Sequence, residues 1–70
     1  MNFLDAAHHS LREAERAIEV GDLHAAIDRA LAAHAYASVS SEREPNPSGA
    51  ELVLTDVNSF FHNLLGSRNQ

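Results

Sequence analysis

Apolar residues recur at helical spacing in the first segment of the chain, from Phe3 to Val20. Its apolar positions fall on one side of a helix of about 3.6 residues per turn, and charged or histidine side chains occupy the other. The apolar set is Phe3, Leu4, Ala7, Leu11, Ala14 and Ile18. Asn2 precedes it as an N-cap, and Gly21 follows it as a helix-ending residue. The pattern predicts an amphipathic helix over residues 3–20.

A second segment, residues 22–41, is apolar on two sides and is predicted to be the central helix. Asp22 is its N-cap. One face carries Leu23, Ala26, Ile27, Ala30, Leu31, Ala33 and Ala37, and the opposite face carries Ala25, Ala32, Ala35, Tyr36 and Val39. Such a helix is normally buried from both sides. We therefore expect the flanking segments, or a second copy of the chain, to cover its two faces.

The third segment follows a linker, residues 42–47, in which Pro45 and Pro47 break the helical pattern. Two starts fit: Asn46 as N-cap with Pro47 in the first helical position, or Ser48 with Glu51 as a capping box. The apolar arc consists of Ala50, Val53, Leu54, Val57, Phe60, Phe61, Leu64 and Leu65, with Leu52 outside it. Residues 51–55 also fit a strand, but an isolated strand has no partner here. We predict a helix over residues 48–65 that stops at Gly66.

These elements predict an all-α fold in a single domain, residues 1–70. The turn at Gly21 and Asp22 is so short that the first two helices must form an antiparallel hairpin. The third amphipathic helix completes a small three-helix bundle. In this hairpin Ser10 and His34 lie at the same height on facing surfaces, so we predict a buried hydrogen bond between them, because an unpaired buried polar group costs about 1–3 kcal/mol.

Size and charge narrow the class of protein. A core in 70 residues rarely supplies more than about 3–5 kcal/mol, and without cysteine no disulfide supports it. Oligomerisation, most simply as a homodimer, or a bound partner is the expected support. The net charge is −5 and the five basic residues are all arginines, so a nucleic-acid partner is not expected. No signal peptide or membrane-length apolar run occurs, which predicts a complete, soluble, cytoplasmic protein with no membrane partner.

Histidines and carboxylates provide the only candidate chemistry. Asp5, His9 and Glu13 share one stripe of the first helix, and His24 and Asp28 form a similar pair. Such spacing can bind zinc, but these side chains are expected to face water and pair locally, so no metal or cofactor site is predicted.

The segment from Arg29 to His34 resembles the R-x4-6-H motif of HEPN ribonucleases. That resemblance implies RNA cleavage at a dimer interface, in a considerably larger fold. The core position predicted for His34 argues against it. We therefore predict no catalytic residues and no enzyme activity. The alternative function is a dimeric, His-dependent metal-binding or RNA-processing helical protein.

The run from Gly21 to Ile27, with Ala33 seven residues beyond Ala26, resembles the turn and second helix of a tetratricopeptide repeat. The resemblance covers residues 11–37, a single hairpin. The chain departs from the repeat pattern at Ser10, Glu13, Ala17, Ala30 and Ser38. A three-helix arrangement similar to microtubule-interacting and trafficking domains fits equally well. Members of both families bind peptide segments or helices, so the resemblance implies protein binding.

The function expected from the sequence is a small non-catalytic protein–protein interaction module. It would act as an adaptor, inhibitor or regulator, of the kind that a phage or a bacterial operon encodes. The candidate interface is the outer side of the second helix, because tyrosine flanked by small residues makes a rigid anchor. The predicted interface residues are Ala25, Ala32, Tyr36 and Val39 on that side, together with Leu52 of the third segment. Burial of that side by the third helix would instead make it part of the core. The expected partner is a second copy, another protein, or both.

Overall fold

Three helices make up the computed structural model, which describes residues 2–68 and the side chains of residues 2–66. They are α1 (Phe3–Glu19), α2 (Leu23–Arg43) and α3 (Ser48–Arg68). No strand occurs within residues 2–68. The predicted all-α class is confirmed, and the segment at residues 51–55 is helical, as expected.

Local capping explains where α1 ends and α2 begins. The Asn2 side chain accepts a hydrogen bond from the Asp5 backbone N–H at 2.8 Å. At the other end, the N–H of Gly21 donates to Ile18 O and that of Asp22 to Ala17 O, the two bonds of a Schellman motif. Gly21 has a φ of 79°, which only glycine adopts without strain. The Asp22 carboxylate then accepts from the Ala25 N–H at 3.1 Å.

The second and third helices are both longer than predicted. α2 continues to Arg43 instead of ending at residue 41, because Ala37 and Ser40 are buried and packing outweighs the weak helix propensity there. The linker shortens to residues 44–47. α3 passes through Gly66 to Arg68. Glycine costs only about 1 kcal/mol inside a helix, and without a left-handed conformation Gly66 does not end one.

The cap of α3 follows the first of the two alternatives. The Ser48 N–H donates to the Asn46 side-chain oxygen at 3.2 Å, and the Glu51 N–H donates to Pro47 O at 2.9 Å. The Asn46 side chain therefore caps the helix, as in the first alternative, but Pro47 is not the first helical residue: its carbonyl accepts the first helical hydrogen bond, and α3 begins at Ser48.

Helix α2 is central, since it packs against both α1 and α3, whereas α1 and α3 touch each other much less. Small side chains dominate the α1–α2 contact and let the two helices approach closely. The joint core lies where all three helices meet, and its buried members are Ala7, Leu11, Ala33, Ala37, Val53 and Val57. Val53, Val57 and Ser40 are the largest fully buried side chains within residues 2–66, so the interior holds little apolar volume.

The buried arc of α2 is narrower than predicted. It consists of Ala26, Ala30, Ala33, Ala37 and Ser40, whereas Leu23 and Leu31 are exposed. The opposite face is not fully covered either, because Ala35 is exposed and Tyr36 is 38% exposed. The prediction that both faces of α2 are buried is therefore wrong for the flanking helices alone, and coverage by a second copy stays a prediction.

The predicted buried pair of Ser10 and His34 is also wrong. Ser10 is buried, but His34 is exposed. Each residue turns a helix by about 100°, so His34 points well away from its buried neighbour Ala33. The buried alanines of α2, which we call the alanine seam, are Ala26, Ala30, Ala33 and Ala37. The seam that α1 and α3 cover is too narrow to include His34.

We expect His34→Ala to change the free energy of unfolding by less than about 0.5 kcal/mol, as for other exposed positions. Urea unfolding of the variant and the parent chain measures the difference. A loss of about 1–3 kcal/mol would instead indicate a buried, hydrogen-bonded histidine and would contradict the structure.

A second prediction concerns Ser40, whose hydroxyl is buried without a hydrogen-bond partner among the described residues. Ser40→Ala removes that unsatisfied group and should raise stability by about 1 kcal/mol. In a chain of this size the midpoint of thermal unfolding should rise by about 4–8 °C. Ser38→Ala, at a half-buried position of the same helix, controls for the gain in helix propensity. An increase no larger than that of the control would contradict the prediction.

None of the three helices is both long enough and apolar enough to cross a membrane, within the residues that the structure describes.

Candidate interaction surface

The predicted interface on α2 is partly covered by α1. Ala25, Ala32 and Val39 are half-buried, and Tyr36 is 38% exposed; we call these four residues the Tyr36 patch. The Tyr36 ring lies 6.3 Å from the ring of Phe3, centroid to centroid. Tyr36 therefore has a contact within its own chain, and what remains open beside it is a shallow cleft of about 250 Å³.

Arg43 strengthens this contact from the last turn of α2. Its guanidinium carbon lies 5.1 Å from the centroid of the Phe3 ring, within the range of a cation–π interaction. Phe3 thus lies beside Tyr36 and under Arg43, so the aromatic side chains hold the start of α1 against α2.

Leu52, the fifth predicted interface residue, belongs to a different surface. It lies on α3 and is 67% exposed. Asp56 and Ser59, four and seven residues later, share its side of the helix, and both face the space between α1 and α3. The structure therefore associates Leu52 with the α1–α3 side of the molecule, whereas Tyr36 contacts Phe3.

A groove of about 710 Å³ lies between α1 and the C-terminal half of α3, with Leu23 at the start of α2 contributing to its lining. Its apolar lining consists of Leu11, Ile18, Leu23, Phe60 and Leu64. Polar residues form its remaining walls, namely His8, Arg12, Glu15, Asp56, Ser59 and Asn63. We call this feature the apolar groove. The apolar groove was not predicted from the sequence.

The apolar groove exists because α3 docks through its first half. Ala50, Val53 and Val57 are buried, whereas Phe60 and Leu64 are only half-buried. The closely packed α1–α2 hairpin offers few large side chains for the second half of α3 to pack against. Ile18 and Leu23, at the hairpin turn, remain 37% and 42% exposed. A hydrophobic cleft therefore stays open between α1 and the second half of α3.

A signal for this groove was present in the sequence. The apolar arc of α3 is made of large residues such as Phe60 and Leu64, whereas the two helices expected to cover it are rich in alanine. Helical periodicity placed these residues on one apolar arc without distinguishing the buried members from the open ones. A comparison of side-chain volumes on the facing helices would have shown the mismatch.

Charges of both signs surround the apolar groove. Arg12 and Glu15 lie on the α1 wall and Asp56 lies on the α3 wall. The ion pairs found within 4 Å among residues 2–66 lie elsewhere on α1: His9 to Glu13 at 3.7 Å and Arg16 to Glu13 at 4.0 Å. The predicted local pairing of His9 with Glu13 is thus confirmed, whereas no ion pair is described within residues 2–66 for Arg12, Glu15 or Asp56.

The histidines and carboxylates considered for chemistry lie at exposed or half-buried positions of α1 and α2. Within the described residues no three His, Cys, Asp or Glu side chains lie close enough to hold a metal ion. Arg29 and His34 are both exposed on α2. Burial of His34 therefore no longer argues against the HEPN-like pair, but neither side chain takes part in an ion pair or side-chain hydrogen bond described for residues 2–66.

Comparison of the chain with protein-family models, with curated proteins and with solved structures found no match.

Proposed function

We propose that this chain is a small non-catalytic protein–protein interaction module that acts in the cytoplasm as an adaptor, inhibitor or regulator through a helical surface. The observation that carries the proposal is the apolar groove. Aliphatic and aromatic side chains converge there on an open cleft, whereas the interior of the same molecule is filled largely by alanine and valine.

This distribution of side chains is unfavourable for an isolated monomer. Burying a large aliphatic or aromatic side chain contributes about 1.5–3 kcal/mol, and Ile18, Leu23 and Leu65 obtain only part of that within one chain. A small fold without disulfides usually needs additional support. An apolar cleft that a partner fills would supply it, and such exposed apolar surfaces mark interaction sites.

The shape of the groove indicates what kind of segment it would accept. Its walls come mainly from two helices, α1 and α3, and its lining combines apolar with polar side chains. A groove of this type suits the apolar face of an amphipathic helix. The resemblance of the hairpin to a tetratricopeptide repeat supports the same proposal, since members of that family bind peptide segments.

Native mass spectrometry after crosslinking in the source cell tests the proposed function. We expect the tagged chain to be recovered in a complex of fixed stoichiometry, with its own copies or with another protein. Recovery only as a free chain of 7.6 kDa, at the natural expression level and with crosslinking of a known complex as a positive control, would contradict the proposal.

A further inference from the structure

We propose that the occupant of the apolar groove is a second copy of this chain, so that two copies bury their grooves against each other about a two-fold axis. This inference rests on the proposed function and specifies its partner. Three properties of the structure carry it: the surface area of the chain, the side chains beside the groove, and the charges on its walls.

The surface area is larger than a compact monomer of this mass should expose. The chain exposes 4854 Å², whereas the scaling of surface with mass gives about 4300 Å² for a folded monomer of this size. The excess, roughly 550 Å², approaches the approximately 800 Å² that each partner contributes to a standard interface. Burial of the groove together with exposed apolar side chains beside it, such as Leu65, would reduce this excess.

The chain itself carries a segment with the chemistry that the groove accepts. The C-terminal half of α3 is a helix with large apolar side chains, of which Leu65 is 60% exposed next to the groove residue Leu64. In a two-fold dimer the same surface patch is used by both copies, so each must offer both an apolar cleft and an apolar helix. The second half of α3 meets this requirement. Its residues Phe60 and Leu64 line the cleft, and its exposed Leu65 lies outside the cleft.

The charges on the groove walls are self-complementary. Arg12 on α1 is opposite in charge to Glu15 and to Asp56 on α3. When two identical patches meet, each Arg12 can approach a carboxylate of the partner, and the pairing occurs twice by symmetry. A uniformly basic helix would be repelled by Arg12, and a uniformly acidic one by Glu15 and Asp56. A second copy, which carries both signs, avoids either conflict.

Light scattering of the purified full chain over a wide concentration series tests the proposal. We expect a mass approaching twice 7.6 kDa at high concentration. Leu23→Glu places a charge in the groove, at an exposed position in the first turn of α2 where an acidic residue suits the helix dipole. It should weaken association at least about tenfold, because the interface would then bury a charge without a partner.

Leu31→Glu is the matched control, because Leu31 is an exposed leucine of the same helix that does not line the groove. It should dimerise like the parent chain. Circular dichroism verifies that each variant is folded, and Ile18→Glu, also in the groove, replaces Leu23→Glu if that variant unfolds.

Two results would overturn the proposal. A parent chain that stays monomeric at every concentration excludes the second copy as occupant; the proposed function then stands only if crosslinking finds a different protein. A dimer that survives both groove substitutions but dissociates in Tyr36→Arg excludes the groove and assigns the interface to the Tyr36 patch, with the proposed function intact. A dimer lost in the groove variants and kept in Leu31→Glu supports the proposal.

Discussion

Replacing Ala33 with leucine should destabilise the chain by about 3 kcal/mol, the upper part of the usual range for overpacking a core. Ala33 is completely buried on α2 and belongs to the cluster where the three helices meet. A leucine there adds three heavy atoms to a seam that depends on the close approach of α1 and α2. Since the entire fold is expected to have only about 3–5 kcal/mol, the variant should be largely unfolded at moderate temperature.

The control for this prediction is Ala35→Leu, two residues away on the exposed side of the same helix. It changes the same atoms and nearly preserves helix propensity. Thermal and urea unfolding followed by circular dichroism compare the two variants. Equal stability of Ala33→Leu and Ala35→Leu would mean that the alanine seam is not closely packed.

Introducing a carboxylate at Val57 should detach α3 from the hairpin. Val57 is fully buried in the core cluster, and no arginine is among the residues of that cluster. An uncompensated buried charge costs about 3–5 kcal/mol, which is comparable to the stability expected for the whole domain. Because α3 touches the rest of the molecule less than α1 and α2 touch each other, we expect Val57→Asp to release α3 first.

Asn58→Asp provides the matched control, since it introduces the same charge at the adjacent, exposed position of α3. Amide hydrogen exchange distinguishes the outcomes residue by residue. In Val57→Asp the amides of α3 should exchange much faster than in the control, with a smaller change in α1 and α2. Unaltered protection of α3 in Val57→Asp would show that Val57 does not hold this helix.

Helix ends governed by adjacent residues could be predicted from the sequence. The caps at Asn2 and Asp22 and the reversal at Gly21 depend on hydrogen bonds that span three to five residues, so their sequence signals suffice. For the same reason the antiparallel hairpin followed directly from the length of the turn. The end of α3 is different, because Gly66 stops a helix only when the chain after it adopts a capping conformation, and α3 continues instead.

The interior faces of the helices could be predicted only in part. Helical periodicity placed Ala26, Ala30, Ala33 and Ala37 correctly in the buried arc, yet it also placed His34 and Leu31 there, and both are exposed. How wide an arc is covered depends on the distance and angle between neighbouring helices. Those quantities follow from packing across the molecule and are not encoded in the spacing along one helix.

The candidate interaction surface also could be predicted only in part from helical spacing. The sequence drew attention to Tyr36 because it is a large residue among alanines, but its contact with Phe3 joins two distant positions. The apolar groove arises because only the first half of α3 is well buried in the bundle, a property of the assembled molecule. Ile18 and Leu64, which the spacing placed on the apolar faces of the first and third helices, therefore line an open cleft.

The most direct test of the groove dimer is an NMR dilution series on the isotope-labelled full chain, in which backbone amide shifts are followed as the protein concentration falls. A dimer formed through the apolar groove predicts concentration-dependent shifts at Ile18, Leu23 and Leu64 and constant shifts at Leu31. Spectra that do not change with concentration, or changes centred on Tyr36, would contradict the claim that two copies meet through the groove.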